Sequence, residues 1–309
     1  MLFSVMKKSA RSLQKITFTL ILVASVLLGL NARASTLISA LDKEQFDWLG
    51  QRIFINECAG QLRCLTSWND GEDFPSMGIG HFIWYQSGQE APFEETFPAL
   101  LAFLQRAGVS LPNWLFLSAS CTNAPTQIPG CDISASELPL SNINKQADSP
   151  WKSRQEFLAD IEGVRLSGLR RLLQNTLNLQ VEFILERFEL TLQEILNQSS
   201  PIERELLKTK IDSIANAQPP YGQYALIDYL HFKGAGVLKS EKYNGQGWGL
   251  LQLLKALPES QPTLLDYVET GEMLLRQRVA NAPIERDESR WIKGWIKRLR
   301  TYLPPPEVP

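Results

Sequence analysis

The residues able to do chemistry cluster between positions 56 and 81. Asn56-Glu57-Cys58 is followed by Ser67-Trp68-Asn69-Asp70-Gly71-Glu72-Asp73-Phe74-Pro75-Ser76-Met77-Gly78-Ile79-Gly80-His81. The pattern places a carboxylate at a helix end, with a glycine-rich acidic hairpin after it. Such an arrangement can set two carboxylates on opposite sides of a groove. Glycosidic cleavage needs that geometry: one carboxylic acid protonates the leaving oxygen, and one carboxylate activates water or stabilises the cation. Glycines let the backbone turn tightly and approach a sugar. Glu57 is the candidate acid and Asp70 the candidate second carboxylate, with Glu72 and Asp73 as competitors. Asn69-Asp70-Gly71 is also good turn chemistry. A general acid must hold a proton, whereas an exposed Glu titrates near 4.3. Apolar walls from Trp68, Phe74, Phe82 and Trp84 would raise that value, so Glu57 is expected to titrate above normal.

Ser76-Met77-Gly78-Ile79-Gly80-His81 resembles the hydroxyl-x-Gly-x-Gly-His signature of phage-type lysozymes, the muramidase endolysins. The resemblance implies a lysozyme-like fold, with the catalytic Glu of the first helix at Glu57. It also implies the Asp at Asp70, six residues before the hydroxyl residue, which falls on Ser76. Ser76 would orient water, while Gly78, Gly80 and His81 would border the substrate, His81 as a supporting hydrogen-bonder. Two departures stand out: about four extra residues between Glu57 and Asp70, and Ser where the family usually has Thr. Ala225-Leu226-Ile227-Asp228 through Gly234 is similar to that fold's buried central helix. The chain also resembles a family of exported bacterial proteins, a likeness that implies no activity.

A second cluster surrounds Lys233-Gly234-Ala235-Gly236 and Tyr243-Asn244-Gly245-Gln246-Gly247-Trp248. Aromatic faces stack on pyranose rings and amides bond hydroxyls, so Tyr243, Asn244, Gln246 and Trp248 are candidate sugar contacts. The plainer reading is a glycine-rich loop with Trp248 in the core. A third cluster, from Arg278 to Trp295, reads as ion pairs on solvated helix faces.

The elements that must position these groups are mostly helical. Asp42 with Gln45 has capping-box spacing, and Phe46, Leu49 and Ile53 recur at helical intervals, giving a first helix over 42–57. Residues 59–80 read as turns and a small sheet. Helices follow over 97–107, 157–177, 179–196, 202–217, 224–232, 249–257, 263–280 and 291–302. Residues 118–150 are rich in Ser, Asn, Pro and Cys and read as a surface excursion, since an unstructured stretch this long is unusual in a compact domain. The expectation is a mainly α (α+β) lysozyme-like domain over 35–303, with a small β-hairpin patch after the first helix and a Pro-rich tail at 304–309.

Lys7, Lys8, Arg11 and Lys15 precede an apolar run from Ile16 to Leu30, and Ala32-Arg33-Ala34 has the form of a signal-peptidase site. Residues 1–34 are therefore expected to be a signal peptide, with an uncleaved anchor as the alternative. The run is short for a membrane span, which needs about 20 residues. The chain carries net charge −2, and losing the five cationic residues of 1–34, a segment without acids, takes it to −7. That excludes nucleic acid as a natural partner and counts mildly against a freely acting bacteriolytic protein.

Four Cys in an exported chain read as two disulfides. Of the three possible pairings, Cys58–Cys64 and Cys121–Cys131 close short loops at little entropic cost. Free thiols are the alternative. Neither pair has CxxC spacing and the only histidines are His81 and His231, so no metal or other cofactor is expected. The combined expectation is a bacterial periplasmic or secreted monomer that hydrolyses β-1,4 bonds in peptidoglycan or a related amino-sugar polymer. A lytic transglycosylase would need Glu57 but no second carboxylate, and a silent wall-binding module on the same fold would need neither.

Overall fold

A computed structural model describes residues 41–89, 93–115 and 148–305. Residues 1–34, most of the 118–150 stretch with Cys121 and Cys131, and the last four residues lie outside the described residues. The first helix, α1 (Lys43–Cys58), opens with the expected capping box: Asp42 accepts from the Gln45 amide while the Gln45 side chain accepts from the Asp42 amide. Ala59, in the left-handed conformation, closes it. A 3₁₀ turn (Leu62–Leu65) then leads into a three-stranded antiparallel sheet of β1 (Thr66–Ser67), β2 (Ser76–Met77) and β3 (Phe82–Ile83), in that order. Each strand is two residues long, so turns rather than ladders shape this patch.

Helices make up most of the rest: α2 (Phe97–Arg106), α3 (Arg154–Ala159), α4 (Val164–Asn175), α5 (Leu177–Asn197), α6 (Pro201–Ala215) and α7 (Tyr221–Lys233). A hairpin of β4 (Lys242–Tyr243) and β5 (Gln246–Gly247) precedes α8 (Leu250–Ala256), α9 (Leu264–Asn281) and α10 (Ile292–Arg300). The protein is mainly α, as the periodicity indicates. The single helix expected over 157–177 is instead two, α3 and α4. The break falls at Asp160 to Gly163, where Asp160 caps α3 and accepts from the Trp151 indole at 3.0 Å.

Helix α7 runs through the core with Tyr224, Ala225, Leu226, Ile227, Asp228 and Tyr229 all buried. It packs on α5, α6 and α8. Gly222 permits the approach to α6, since a Cβ there would strike the carbonyl oxygens of Ile214 and Ala217. Lys210 of α6, 2% exposed, donates to the carbonyls of Leu254, Lys255 and Leu257 at 3.0, 3.2 and 2.7 Å. One buried ammonium thereby satisfies three orphan carbonyls at the end of α8. A second core lies under the small sheet, where Trp84 packs on Phe97 and Trp151, and Phe157 packs on Trp151 and Trp68. Among the described residues no helix is long and apolar enough to cross a membrane.

Candidate functional site

An open groove of about 420 Å³ lies where α1 ends, lined by Asn56, Glu57, Cys58, Ala59, Gln61, Arg63, Cys64, Ser67, Asn69 and His81. Three elements position its chemistry. Helix α1 delivers Glu57 at its last turn. The Cys58–Cys64 disulfide fastens the chain beyond that turn back onto the helix. The turn between β2 and β3 delivers His81, whose own φ is +46°. Gly78, at φ +73°, makes that turn possible, and a Cβ there would also strike the amide oxygen of Gln180. Gln180 of α5 is fully buried and accepts from the Ile79 amide at 2.9 Å. The Gly-x-Gly-His run therefore docks the hairpin on α5 and points an imidazole at Glu57. Gly78 and Gly80 fill tight space against Gln180, Phe82 and His231 rather than lining the groove.

Glu57 has its side chain 12% exposed. Its Oε1 accepts from Arg298 Nη2 at 2.5 Å, and His231 Nε2 is 3.9 Å from the same oxygen. Its Oε2 is 3.4 Å from His81 Nδ1. The other edge of that ring, Nε2, is 3.1 Å from Cys64 Sγ. A disulfide sulfur can only accept, so any hydrogen bond on this edge is donated by the ring, and Nδ1 is the edge that faces Glu57. Cys58, Cys64 and His81 have their donor atoms within 4.8 Å of one another. With both sulfurs tied in the disulfide they offer no thiolate, so this trio is a braced imidazole and not a metal centre.

Behind Glu57 lies a charged knot. Arg298 of α10 grips Asp228 of α7 through Nε and Nη2 at 2.9 and 2.8 Å. Asp228, wholly buried, also accepts from Tyr302 Oη at 2.7 Å and Asn56 Nδ2 at 3.0 Å. Burial pushes the Asp228 carboxyl up, but Arg298, Tyr302 and Asn56 outweigh it and hold it below the ordinary range. The same contest decides Glu57. Burial raises it, yet Arg298, with His231 and His81, lowers it further, so the carboxyl sits below its usual value. This corrects the expectation of a raised Glu57. The apolar walls invoked for it are elsewhere: Phe82 packs on Phe183, Phe74 on Tyr85, and Trp68 and Trp84 lie in the aromatic core. Arg298 and two imidazoles, not indoles, surround Glu57.

The other sequence candidates are dispersed. Asp70 has its side chain 97% exposed, 3.9 Å from Arg154 Nη1, and does not line the groove. Ser76 is 4% exposed within β2. The hydroxyl that does line the groove is that of Ser67, and the side-chain amides are those of Asn56, Gln61 and Asn69. Trp248 is a core residue packed on Tyr243. Asn244 and Gln246 are both bonded to Asn281, at 3.2 and 2.7 Å, and Tyr243 Oη donates to Glu288 at 2.9 Å. That loop is tied to α9 and the turn after it. The third cluster contains a buried ion pair, since Glu288 is closed from solvent and bonded twice by Arg278. Comparison with protein-family models, curated proteins and solved structures returned no match.

The depressed groups fix how stability should follow pH. Burial, reinforced by Arg298, holds His231 below its ordinary value even though Glu57 pulls it up. On acidification the unfolded chain takes the histidine proton first, near pH 6.5, and the carboxylate protons near pH 4. In each step the native state binds fewer protons, so the contribution of these groups is complete above about pH 6.5 and falls in two stages below it. Urea midpoints measured at about pH 7.5, 5.5 and 3.5 should descend in that order. Equal midpoints at the first two would contradict the depressed His231.

Proposed function

We propose that this protein cleaves β-1,4 bonds in peptidoglycan or a related amino-sugar polymer, on a lysozyme-like arrangement of first helix, hairpin and buried central helix. We further propose that it does so outside the cytoplasm, after removal of residues 1–34, where the Cys58–Cys64 disulfide persists. The observation that carries the reading is one mostly buried carboxylate, Glu57, standing in an open groove and braced by a helix from the far end of the chain. Glu57 in its acid form protonates the leaving oxygen as the C1–O bond breaks. Its carboxylate then takes the proton of the incoming hydroxyl. Arg298 keeps the acid form scarce at neutral pH. A bound glycan that excludes water works against Arg298 by raising the carboxyl.

The position of Asp70 favours the one-carboxylate route over hydrolysis. Among the described residues lining the groove, Glu57 is the sole carboxylate. With no second one to activate water, a hydroxyl of the cleaved sugar itself is the fitting nucleophile, as in a lytic transglycosylase, and the product is an anhydro sugar. Asp70→Asn should then leave turnover within about twofold of wild type, far from the 10²–10⁴-fold effect of removing a general base. Mass spectrometry of digested peptidoglycan should show anhydro ends. Reducing ends together with a dead Asp70→Asn would restore hydrolysis with Asp70 as the second carboxylate. A protein that binds the polymer and cleaves nothing would be a binding module on the same fold.

A further inference from the structure

Two sulfurs and an imidazole meet at the end of α1. Cys58 Sγ, Cys64 Sγ and a ring nitrogen of His81 lie within 4.8 Å of one another. Cys64 Sγ is 3.1 Å from Nε2, the ring edge turned away from Glu57. While the disulfide is closed, the trio offers a metal no thiolate. Once it is opened, the same three side chains become two thiols and an imidazole, the donors that zinc prefers. The sequence gives little sign of such a set. Five residues separate Cys58 from Cys64, which is no usual zinc spacing, and His81 arrives on a separate hairpin.

Three features of the fold suit a metal here. The first is distance. Zinc bonds of about 2.3 Å to sulfur and 2.0 Å to nitrogen, at tetrahedral angles, hold the ligand atoms roughly 3.5–3.8 Å apart. The His81–Cys64 pair needs only a small outward step from 3.1 Å. The two sulfurs must part further, and the loop that joins them, residues 59–63, is exposed throughout and can follow. The second is the carboxylate behind the imidazole. A metal on Nε2 leaves the ring proton on Nδ1, and metal-bound histidines ordinarily donate that proton to a carboxylate or carbonyl. Glu57 Oε2 already stands 3.4 Å from Nδ1, while Arg298 holds the other oxygen of Glu57. The third is access. Cys58, Cys64 and His81 all line the groove, so water can enter as a fourth ligand.

We propose that the reduced protein binds one zinc ion through Cys58 Sγ, Cys64 Sγ and His81 Nε2, with water as the fourth ligand and Glu57 as the carboxylate behind His81. A dithiol reductant opens the site. Its thiolate attacks the sulfur of Cys64, the less buried of the pair, and Cys58 leaves as a thiolate. The reductant's second thiol then displaces Cys64 and closes a disulfide of its own, so two electrons pass to the cysteine pair. Zinc takes both thiolates, and any protons they carried go to water. The site stands apart from the glycan-cleaving reading and survives its failure.

The test uses the full chain and Co²⁺, which takes zinc sites and reports thiolate ligands by an intense charge-transfer absorption. The oxidised chain should show no such band. The chain reduced by a dithiol, with the reductant then removed in the absence of air, should show it, and Zn²⁺ should bleach it. Reduction leaves Cys121 and Cys131 as thiols too, so alkylation and peptide mapping locate the metal: Zn²⁺ should protect Cys58 and Cys64. His81→Asn removes the imidazole and keeps a side chain that tolerates the φ of +46° at this position. Its zinc affinity should fall by more than the roughly 10–100-fold that loss of an outer-shell partner costs. Should that variant not fold, X-ray absorption at the zinc edge of the reduced wild type decides, with two sulfurs and one imidazole expected. No band in the reduced chain, protection confined to Cys121 and Cys131, unchanged zinc affinity in His81→Asn, or a zinc shell without imidazole would each overturn the site.

Discussion

Arg298→Met is expected to destabilise the protein by about 3–5 kcal/mol at neutral pH, because it leaves two mostly buried carboxylates without their cation. Met fills much of the aliphatic volume of Arg, so the loss is one of charge and hydrogen bonds more than of packing. Arg298 supplies two bonds to Asp228 and one to Glu57, from a side chain only 13% exposed. Tyr302 and Asn56 remain on Asp228 but carry no charge. For a domain of this size the melting midpoint should fall by roughly 10 °C. The pH response should change as well. Wild type loses stability on acidification, whereas the variant should recover relative to it as Asp228 takes a proton and becomes neutral. Arg298→Met combined with Asp228→Asn should regain part of the loss, since removing both charges is far cheaper than stranding one. Calorimetry of the three proteins decides it. A single variant within about 1 kcal/mol of wild type would show that the knot is solvated and does not hold α10 to α7.

Local patterns in the sequence carry most of the fold. The Asp42–Gln45 capping box marks the start of α1, and apolar spacing alone places α5, α6 and α9 to within a few residues. The missed break between α3 and α4 depends on Trp151 reaching Asp160, a contact that periodicity does not contain. The site divides the same way. Glu57 and His81 were legible because both sit at turns with recognisable chemistry. Arg298 was not, since it meets Glu57 across 241 positions of chain and stands among many other cations in α10. Asp228 did leave a signal. A carboxylate inside a helix as apolar as Tyr224 to Leu230 must have a buried cation, and that requirement points to an Arg somewhere in the chain. Asp70 and Ser76 stand apart from the groove lining. Their spacing matches a known signature, but the spacing does not say which side of the hairpin faces the groove. The extra residues between Glu57 and Asp70, including the disulfide-forming Cys64, lie between the two carboxylates in the chain. The amides of Asn244 and Gln246 suit a sugar by type, yet Asn281 already satisfies them.

The depressed carboxyl of Glu57 separates two jobs that sequence reasoning combined. Arg298 orients the carboxylate and keeps it ionised, and that is the form needed to take the proton of the attacking hydroxyl. On the proposed reading, the acid form is reached by proton uptake when substrate displaces water. Cleavage should therefore be faster on the acid side of neutrality, down to the pH where the buried knot begins to lose its charges.

The account stands on Glu57, and Glu57→Gln tests it most directly. Gln keeps the size of the side chain, and its amide oxygen can still accept from Arg298, so the fold and the grip of α10 should survive. The amide cannot deliver a proton. Release of soluble fragments from purified peptidoglycan should fall by at least 10²–10⁴-fold, the span of a lost general acid. The unfolding midpoint should fall by less than in Arg298→Met, since Asp228 still holds Arg298, and the insoluble polymer should still pull the variant down. Fragment release by Glu57→Gln at the wild-type rate, from protein that is folded and binds the polymer, would show that the proton comes from another group and would contradict the account.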